Sequence, residues 1–350
     1  VKAVDPASPD SYSFGVPGGS GARRDIPHRR SSVSIISAPS ARSGRGTPPA
    51  ASPDVPRRRH RRRGRDIALF LLLAGPNIAL LAVFVYRPLL QSLQYSLLQW
   101  NVGSPIARFV GAGNYLAWLT DPSTPRVLLT TAVFTVCTVA GGMALGLWLA
   151  LVLDRRLPGH TIVRTVSFAP YVLSGVAVGL LWLFIFDPRY GVLAALLNAI
   201  GLPSPDWYNS QPWPLVMLII VYIWKNVGYV ALIYLAGLQA VPHEVREAAA
   251  LDGATRGQTT RRVIIPLLGH TTFFLSITTL LSSLQSFDLI QAMTRGGPVG
   301  STTTLMYEIY QVGFVDGRAG YASAVATVLF AILLAITIVQ LIVMERKVNL

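Results

Sequence analysis

Three features of the sequence predict an all-α membrane protein with six transmembrane helices. Hydrophobic residues fill 52% of the 350 positions and charged residues 13%, with mean hydropathy +0.48. Soluble domains carry about 25% charged residues, so the composition is that of a membrane protein. Six apolar segments are each long enough to cross about 30 Å of hydrocarbon. Basic residues also alternate between loops. Sixteen Lys and Arg lie in Arg57–Arg65 next to the first segment, in 154–164, in 240–266 and after 344, against six in the intervening loops 87–126, 187–212 and 292–320. The bias of Lys and Arg towards the cytoplasmic side puts both termini and the 240–266 loop there.

Residues 1–64 hold nine Pro and eleven Ser. They lack the apolar surface to fold alone, so we expect a disordered basic cytoplasmic tail at 1–64 followed by a six-helix transmembrane domain at 65–350. Of the 30 Lys and Arg, 14 fall in residues 1–66. The run Arg57–Arg65 is read as a topogenic cluster before a span rather than a nucleic-acid patch, with anionic lipid as a further contact. No apolar stretch followed by a small-residue cleavage site marks a signal peptide.

The segments run about Ile67–Tyr86 (with an amphipathic extension towards Leu98), Val127–Leu153, Ile162–Phe186, Pro214–Leu238, Leu267–Ile290 and Tyr321–Met344. Pro170 is expected to kink the third. Gly142-x3-Gly146 and Gly175-x3-Gly179 fit close helix packing. The outward loops 99–126 and 187–212 are rich in Gly, Pro, Trp and Tyr, residues suited to the membrane boundary. Leu193–Ile200 and Thr302–Phe314 read as short interfacial helices, and Thr294–Pro298 as a turn.

Val241–Pro266 holds seven acidic or basic residues between two apolar segments. Pro242 suits a first helical position, and Glu244 and Glu247 suit the positive end of the helix dipole. Gly253 suits a left-handed helix end, and Thr255 with Gln258 a capping box. A short helix, a sharp turn and a second helix returning to the bilayer are expected.

Polar side chains inside spans face the bundle interior or a water-filled cavity. Tyr222, Trp224, Lys225, Asn226 and Tyr229 on the fourth segment, with Ser282, Gln285, Ser286 and Asp288 on the fifth, are candidates for a solute path. Aromatic, amide and hydroxyl groups suit polyhydroxylated ligands, and Lys225 suits a phosphate. The same residues also suit a structural Lys225–Asp288 pair or hydrogen bonds between helices. No metal-ligand spacing is present, and no GxxxxGK[ST] loop for nucleotide phosphates. Cys137 reads as a small buried hydrophobe.

Glu247-Ala248-Ala249, then Gly253, then Val263-Ile264-Ile265-Pro266 resemble the EAA motif of ABC importer permeases, with Val263 and Ile265 as mild departures. The resemblance extends over about Asp66 to Lys347. Arg164–Pro170, Trp182–Pro188, Trp224–Gln239, Phe287-Asp288 and Thr294–Thr304 are similar to the MalF-type carbohydrate and glycerol-3-phosphate branch, and Thr302–Phe314 to its glycerol-3-phosphate members. This implies a type I ABC importer permease in a bacterial inner membrane. Its coupling helix, around Glu244, Glu247, Ala248, Ala249, Asp252, Gly253 and Pro266, docks an ATPase. The implied partners are a second permease subunit, two ATPase copies that carry ATP and Mg2+, and an extracytoplasmic solute-binding protein; this chain itself needs no cofactor. The solute is a sugar, glycerol-3-phosphate or a glycerophosphodiester. A secondary transporter of a polar solute is the rival reading, but such proteins often carry paired broken spans and the Lys225 region has no second copy. A membrane scaffold would not need the Glu247–Pro266 spacing.

Overall fold

The computed structural model describes residues 59–154 and 160–348, with side-chain environments for 69–154 and 162–343. Most of the expected 1–64 tail lies outside the described residues. Residues 59–64 belong instead to the first helix, α1, Arg59–Leu81. A five-residue π-helical turn, Ala82–Tyr86, joins α1 to α2, Arg87–Tyr95, giving one apolar stretch from Leu69 to Tyr95. A two-residue hairpin pairs β1, Leu98–Gln99, antiparallel with β2, Arg108–Phe109. Then come α3, Gly113–Leu119, and α4, Thr124–Leu153.

The third expected span is not one helix. It is α5, His160–Val172, and α6, Gly175–Phe186, bent by 101° at a break over Leu173–Ser174. The 12 residues of α6 rise only ~18 Å, well short of a hydrocarbon core. The break falls beyond Pro170, which stays inside α5. The described residues therefore hold five helical segments long and apolar enough to cross a membrane, plus this bent pair.

The short helix α7, Val192–Ala199, matches the expected interfacial one. It is followed by α8, Trp213–Ala240, and α9, His243–Leu251. After them come α10, Arg256–Thr259, a π turn over Thr260–Ile264, and α11, Ile265–Leu267. The fifth span is α12, Gly269–Leu284, continued after a break by α13, Asp288–Met293. Then α14, Leu305–Tyr310, occupies the centre of the second expected interfacial segment, and α15, Ala319–Val348, closes the chain.

Helices α4 and α8 form the spine. The buried positions of α4 (Val127, Thr131, Phe134, Thr138, Gly142, Gly146, Ala150 and Leu153) recur every three or four residues, as one helical face requires. A Cβ on Gly146 would lie 2.5 Å from the Val230 side chain on α8, and one on Gly228 would collide with the Ser167 carbonyl of α5, so Gly146 admits a side chain of α8 and Gly228 marks a backbone contact. Gly175 and Gly179 face α13 in the same way, whereas Gly142 meets nothing within 4 Å.

Three apolar clusters stack along the spine. One, at the α9 end, joins Ala150, Leu153, Tyr234, Leu238, Ile264 and Leu268. A second joins Phe134, Val178, Phe186, Met217, Val221 and Leu289, and a third joins Trp118, Val127, Leu305, Tyr321 and Val325. Outside this core the surface is apolar: Leu73 and Phe84 are 79% and 71% exposed, and the most apolar stretch of Leu69–Tyr95 buries nothing within the chain. Cys137 is exposed rather than buried, because it falls off the inner face of α4.

Candidate functional site: the α9–α11 loop and the helix break

The α9 loop is built by local chemistry. Glu244 lies in the first turn of α9, where an acidic side chain complements the unpaired N–H groups. Pro242 is the N-cap rather than the first helical residue, with ψ 143°. The exit is a Schellman turn: Gly253 has φ +76°, its N–H donates to Ala250 O at 3.1 Å, and Ala254 N–H donates to Ala249 O at 3.0 Å. A Cβ on Gly253 would meet nothing within 4 Å, so the positive φ alone selects glycine. Thr255 and Gln258 form the expected capping box: Thr255 N–H donates to Gln258 Oε1 at 2.8 Å, and Gln258 N–H donates to Thr255 Oγ1 at 3.4 Å.

Two faces of α9 differ. His243, Glu244, Glu247, Ala248, Leu251 and Asp252 are exposed, and His243 Nδ1 lies 3.3 Å from Glu247 Oε1. Val245 and Arg246 are half-buried and Ala249 is buried. Ala249 thus packs inward instead of offering a close approach to a partner, and Pro266 is exposed at the start of α11. Sequence reasoning passed over two residues here. Leu251 is 89% exposed at the tip, and the Arg246 guanidinium donates to Asp154 Oδ2 at 3.0 Å and to Leu238 O at 3.1 Å. The spacing 245, 246, 249 is a helical face, which marks Arg246 as inward-facing.

The mid-bundle candidates separate into three groups. Tyr222, Asn226, Tyr229 and Ser282 line one small cavity of about 50 Å3, together with Thr138, Tyr171 and Thr279, which were not anticipated. That volume holds a water or two. Tyr171 stacks on Tyr229 with ring centroids 4.8 Å apart, and Thr138 and Ser283 share a hydrogen bond of 2.7 Å. Trp224 and Gln285 do not join the cavity: Trp224 packs edge-on against Trp182 at 5.2 Å, and Gln285 is exposed. Ser286 is buried with its hydroxyl unpartnered. Thr135, one helical turn from the Thr138–Ser283 bond, has an unpartnered buried hydroxyl too.

Lys225 and Asp288 form the third group, and they do not pair. The ion pairs among the described residues are His243–Glu247 and Arg246–Asp154. The reason lies in the broken span between them. Lys225 Nζ donates to Tyr171 O at 3.4 Å and lies 5.7 Å above the Tyr171 ring, so it meets the carbonyl end of α5. Asp288 meets the opposite end: a Cβ on Gly175, the first residue of α6, would collide with Asp288 Oδ2. A cation at a helix C-terminus and an anion at a helix N-terminus are each favourable, by ~0.3–1 kcal/mol when exposed and up to ~2 when partly buried. The two charges complement the half-helix ends rather than each other.

At the end away from α9, a cavity of about 550 Å3 is lined by Arg126, Arg295, Arg318, Asp121, Tyr307 and Glu308, among others. Trp118 Nε1 donates to both Glu308 carboxylate oxygens, at 3.2 and 3.3 Å, and burial pushes that carboxyl above its ordinary range. The sequence placed Arg295 in a turn and Tyr307 and Glu308 in an interfacial helix but gave none of these cavity residues a site role, since isolated arginines in Gly-rich loops carry no pattern.

A helical bundle with a broken span and a Gly-turned helix pair at one end is the architecture of an importer permease, and the chain belongs to the family of binding-protein-dependent transport system inner membrane components, whose model matches residues 142–348. The chain is 36% identical over 279 residues to the sn-glycerol-3-phosphate transport system permease protein UgpA of Brucella abortus, covering 79% of this chain and 94% of that one. It is 33% identical to a probable ABC transporter permease protein of Pyrococcus horikoshii, covering 79% and 96%. In fold it is similar to a chain of a bacterial ABC transporter for alginate, an acidic polysaccharide, with TM-score 0.72, 24% identity and coverage of 81% and 99%. A similar match, TM-score 0.71 at 23% identity over 80% and 94%, is to a bacterial alginate ABC transporter in complex with an alginate-pentasaccharide-bound periplasmic protein.

Proposed function

We propose that this permease is one of two membrane-spanning subunits of an ATP-driven importer, and that the exposed face of α9 docks one of two ATPase subunits. The observation that carries the reading is the α9 loop. Glu244, Glu247, Ala248, Leu251 and Asp252 face outward together, and the Gly253 turn and Thr255–Gln258 box hold that face in place. ATP and Mg2+ belong to the partner ATPase, and this chain supplies no cofactor. The loop and both termini face the cytoplasm, as the Lys and Arg distribution favours, while the solute-binding protein meets the opposite end. We assign a glycerol-3-phosphate-like or related polar solute, supported by the 36% identity to a permease of that name. The solute passes beside Tyr222, Asn226, Tyr229 and Ser282 at the boundary with the second permease. The cavity those residues line, about 50 Å3, is too small for such a solute, so the path widens there when the two subunits rock apart.

Co-expression with the partner subunits tests this. In mild detergent the chain retains the ATPase, while Glu247→Lys and Gly253→Pro release it. Retention by both variants would remove α9 as the docking element.

A further inference from the structure

Helix α9 is held to the bundle by very little apolar surface: Ala249 is its one buried residue. Its main polar tether is Arg246. One guanidinium nitrogen donates to Asp154 Oδ2 at 3.0 Å and the other to Leu238 O at 3.1 Å. Asp154 is the C-cap of α4, and Leu238 lies in the last turn of α8. Both ends present the negative end of a helix dipole, and an Asp at the end of α4 adds to that charge. A planar guanidinium with a fixed fork of donors can engage both at once, which an ammonium cannot. Side-chain exposures of 32% for Arg246 and 22% for Asp154 place the pair partly out of water, so it is screened less than a surface pair.

Helices α4 and α8 form the most extensive helix–helix contact of the chain and carry α5 and α12 on their sides, so a group joining α9 to both ends sets its position relative to that central pair. We infer that Arg246 is the positioning residue that couples α9 to the α4–α8 spine, transmitting movement between the docking face and the far end of the permease. Arg246 points away from the exposed face of Glu244, Glu247 and Leu251. Its role is therefore separable from docking itself, although it rests on α9 being the docking element. Asp154 is its partner, and Leu238 contributes only a backbone oxygen.

The test uses the complete transporter, with the second permease subunit, the ATPase and the binding protein purified with the solute it carries from cells. ATP hydrolysis is measured with and without that binding protein. Arg246→Ala and Asp154→Asn keep the ATPase bound and keep basal hydrolysis, but cut the stimulation by the binding protein at least about fivefold, the lower range of allosteric couplings. Arg246→Lys is intermediate, because it keeps the pair with Asp154 and loses the Leu238 oxygen. Asp154→Glu stays near wild type. A purely structural role would lower basal hydrolysis, stimulation and yield together. Unchanged stimulation in both Arg246→Ala and Asp154→Asn overturns the assignment, and so does loss of ATPase retention in Arg246→Ala. If the wild-type chain itself fails to retain the ATPase, the docking reading fails first and this role falls with it.

Discussion

The chain interrupts its helices in two instructive places, and they are specified in opposite ways. Between α9 and α10 the break is local. Gly253 at φ +76° closes a Schellman turn, and Thr255 with Gln258 opens the next helix, all within six residues. Between α5 and α6 the break at Leu173–Ser174 has no such chemistry. Ser174 adopts φ −57° and ψ 130°, and its side chain makes no capping bond. The ends are met from elsewhere in the chain, by Lys225 of α8 and Asp288 of α13. A locally specified turn survives changes in its surroundings; a break stabilised by distant charges depends on where α8 and α13 sit. The second kind suits a part of the molecule that must rearrange.

The strongest way to sharpen this contrast is to fill the contact at Gly175. A Cβ there would have to displace the Asp288 carboxylate, and overpacking costs about 1–3 kcal/mol. Gly175→Val is expected to lower the melting temperature of the purified complex and to abolish stimulation of its ATPase by the binding protein. Gly253→Ala, with open space at its Cβ, costs only the left-handed backbone, about 1–2 kcal/mol, and leaves the rest of the bundle unperturbed. A smaller effect follows from reversing charge at the break. Asp288→Lys puts a cation against the positive end of α6 and should destabilise by up to ~2 kcal/mol, whereas Asp288→Asn should cost less than half of that. Thermal unfolding of the two variants in the same detergent measures the difference, and equal losses would mean that Asp288 acts by packing rather than charge. The smallest effect is at the local turn: Thr255→Ala removes the cap of α10 at a cost of ~1 kcal/mol. It should speed amide exchange in 254–260 without altering exchange at 171–178.

The same contrast explains what the sequence makes legible. The long helices followed from continuous apolar runs, and the Gly253 turn and the Thr255–Gln258 box followed from residue types at fixed offsets. The shared cavity of Tyr222, Asn226, Tyr229 and Ser282 was within reach because helical spacing and polarity single out inward positions on α8 and α12. The bend at Leu173–Ser174 was not, since the segment from Ile162 to Phe186 reads as one mostly apolar run in which Pro170, not Ser174, is the break signal. Nor was the separation of Lys225 from Asp288. Placing two charges at similar depth suggests a pair, and only the broken helix between them supplies the alternative partners. Arg246 was hidden by its position beside Glu247 in the EAA-like motif, where attention falls on the residues that face outward.

Which face of α9 meets the ATPase is the central claim, and site-specific photo-crosslinking measures it directly. A photo-reactive residue at position 251, where Leu251 is 89% exposed, should crosslink to the ATPase in the assembled transporter. The same probe at position 249, where Ala249 is buried against the bundle, should give none. Crosslinking from 249 but not from 251, or from neither, would contradict the docking of this face.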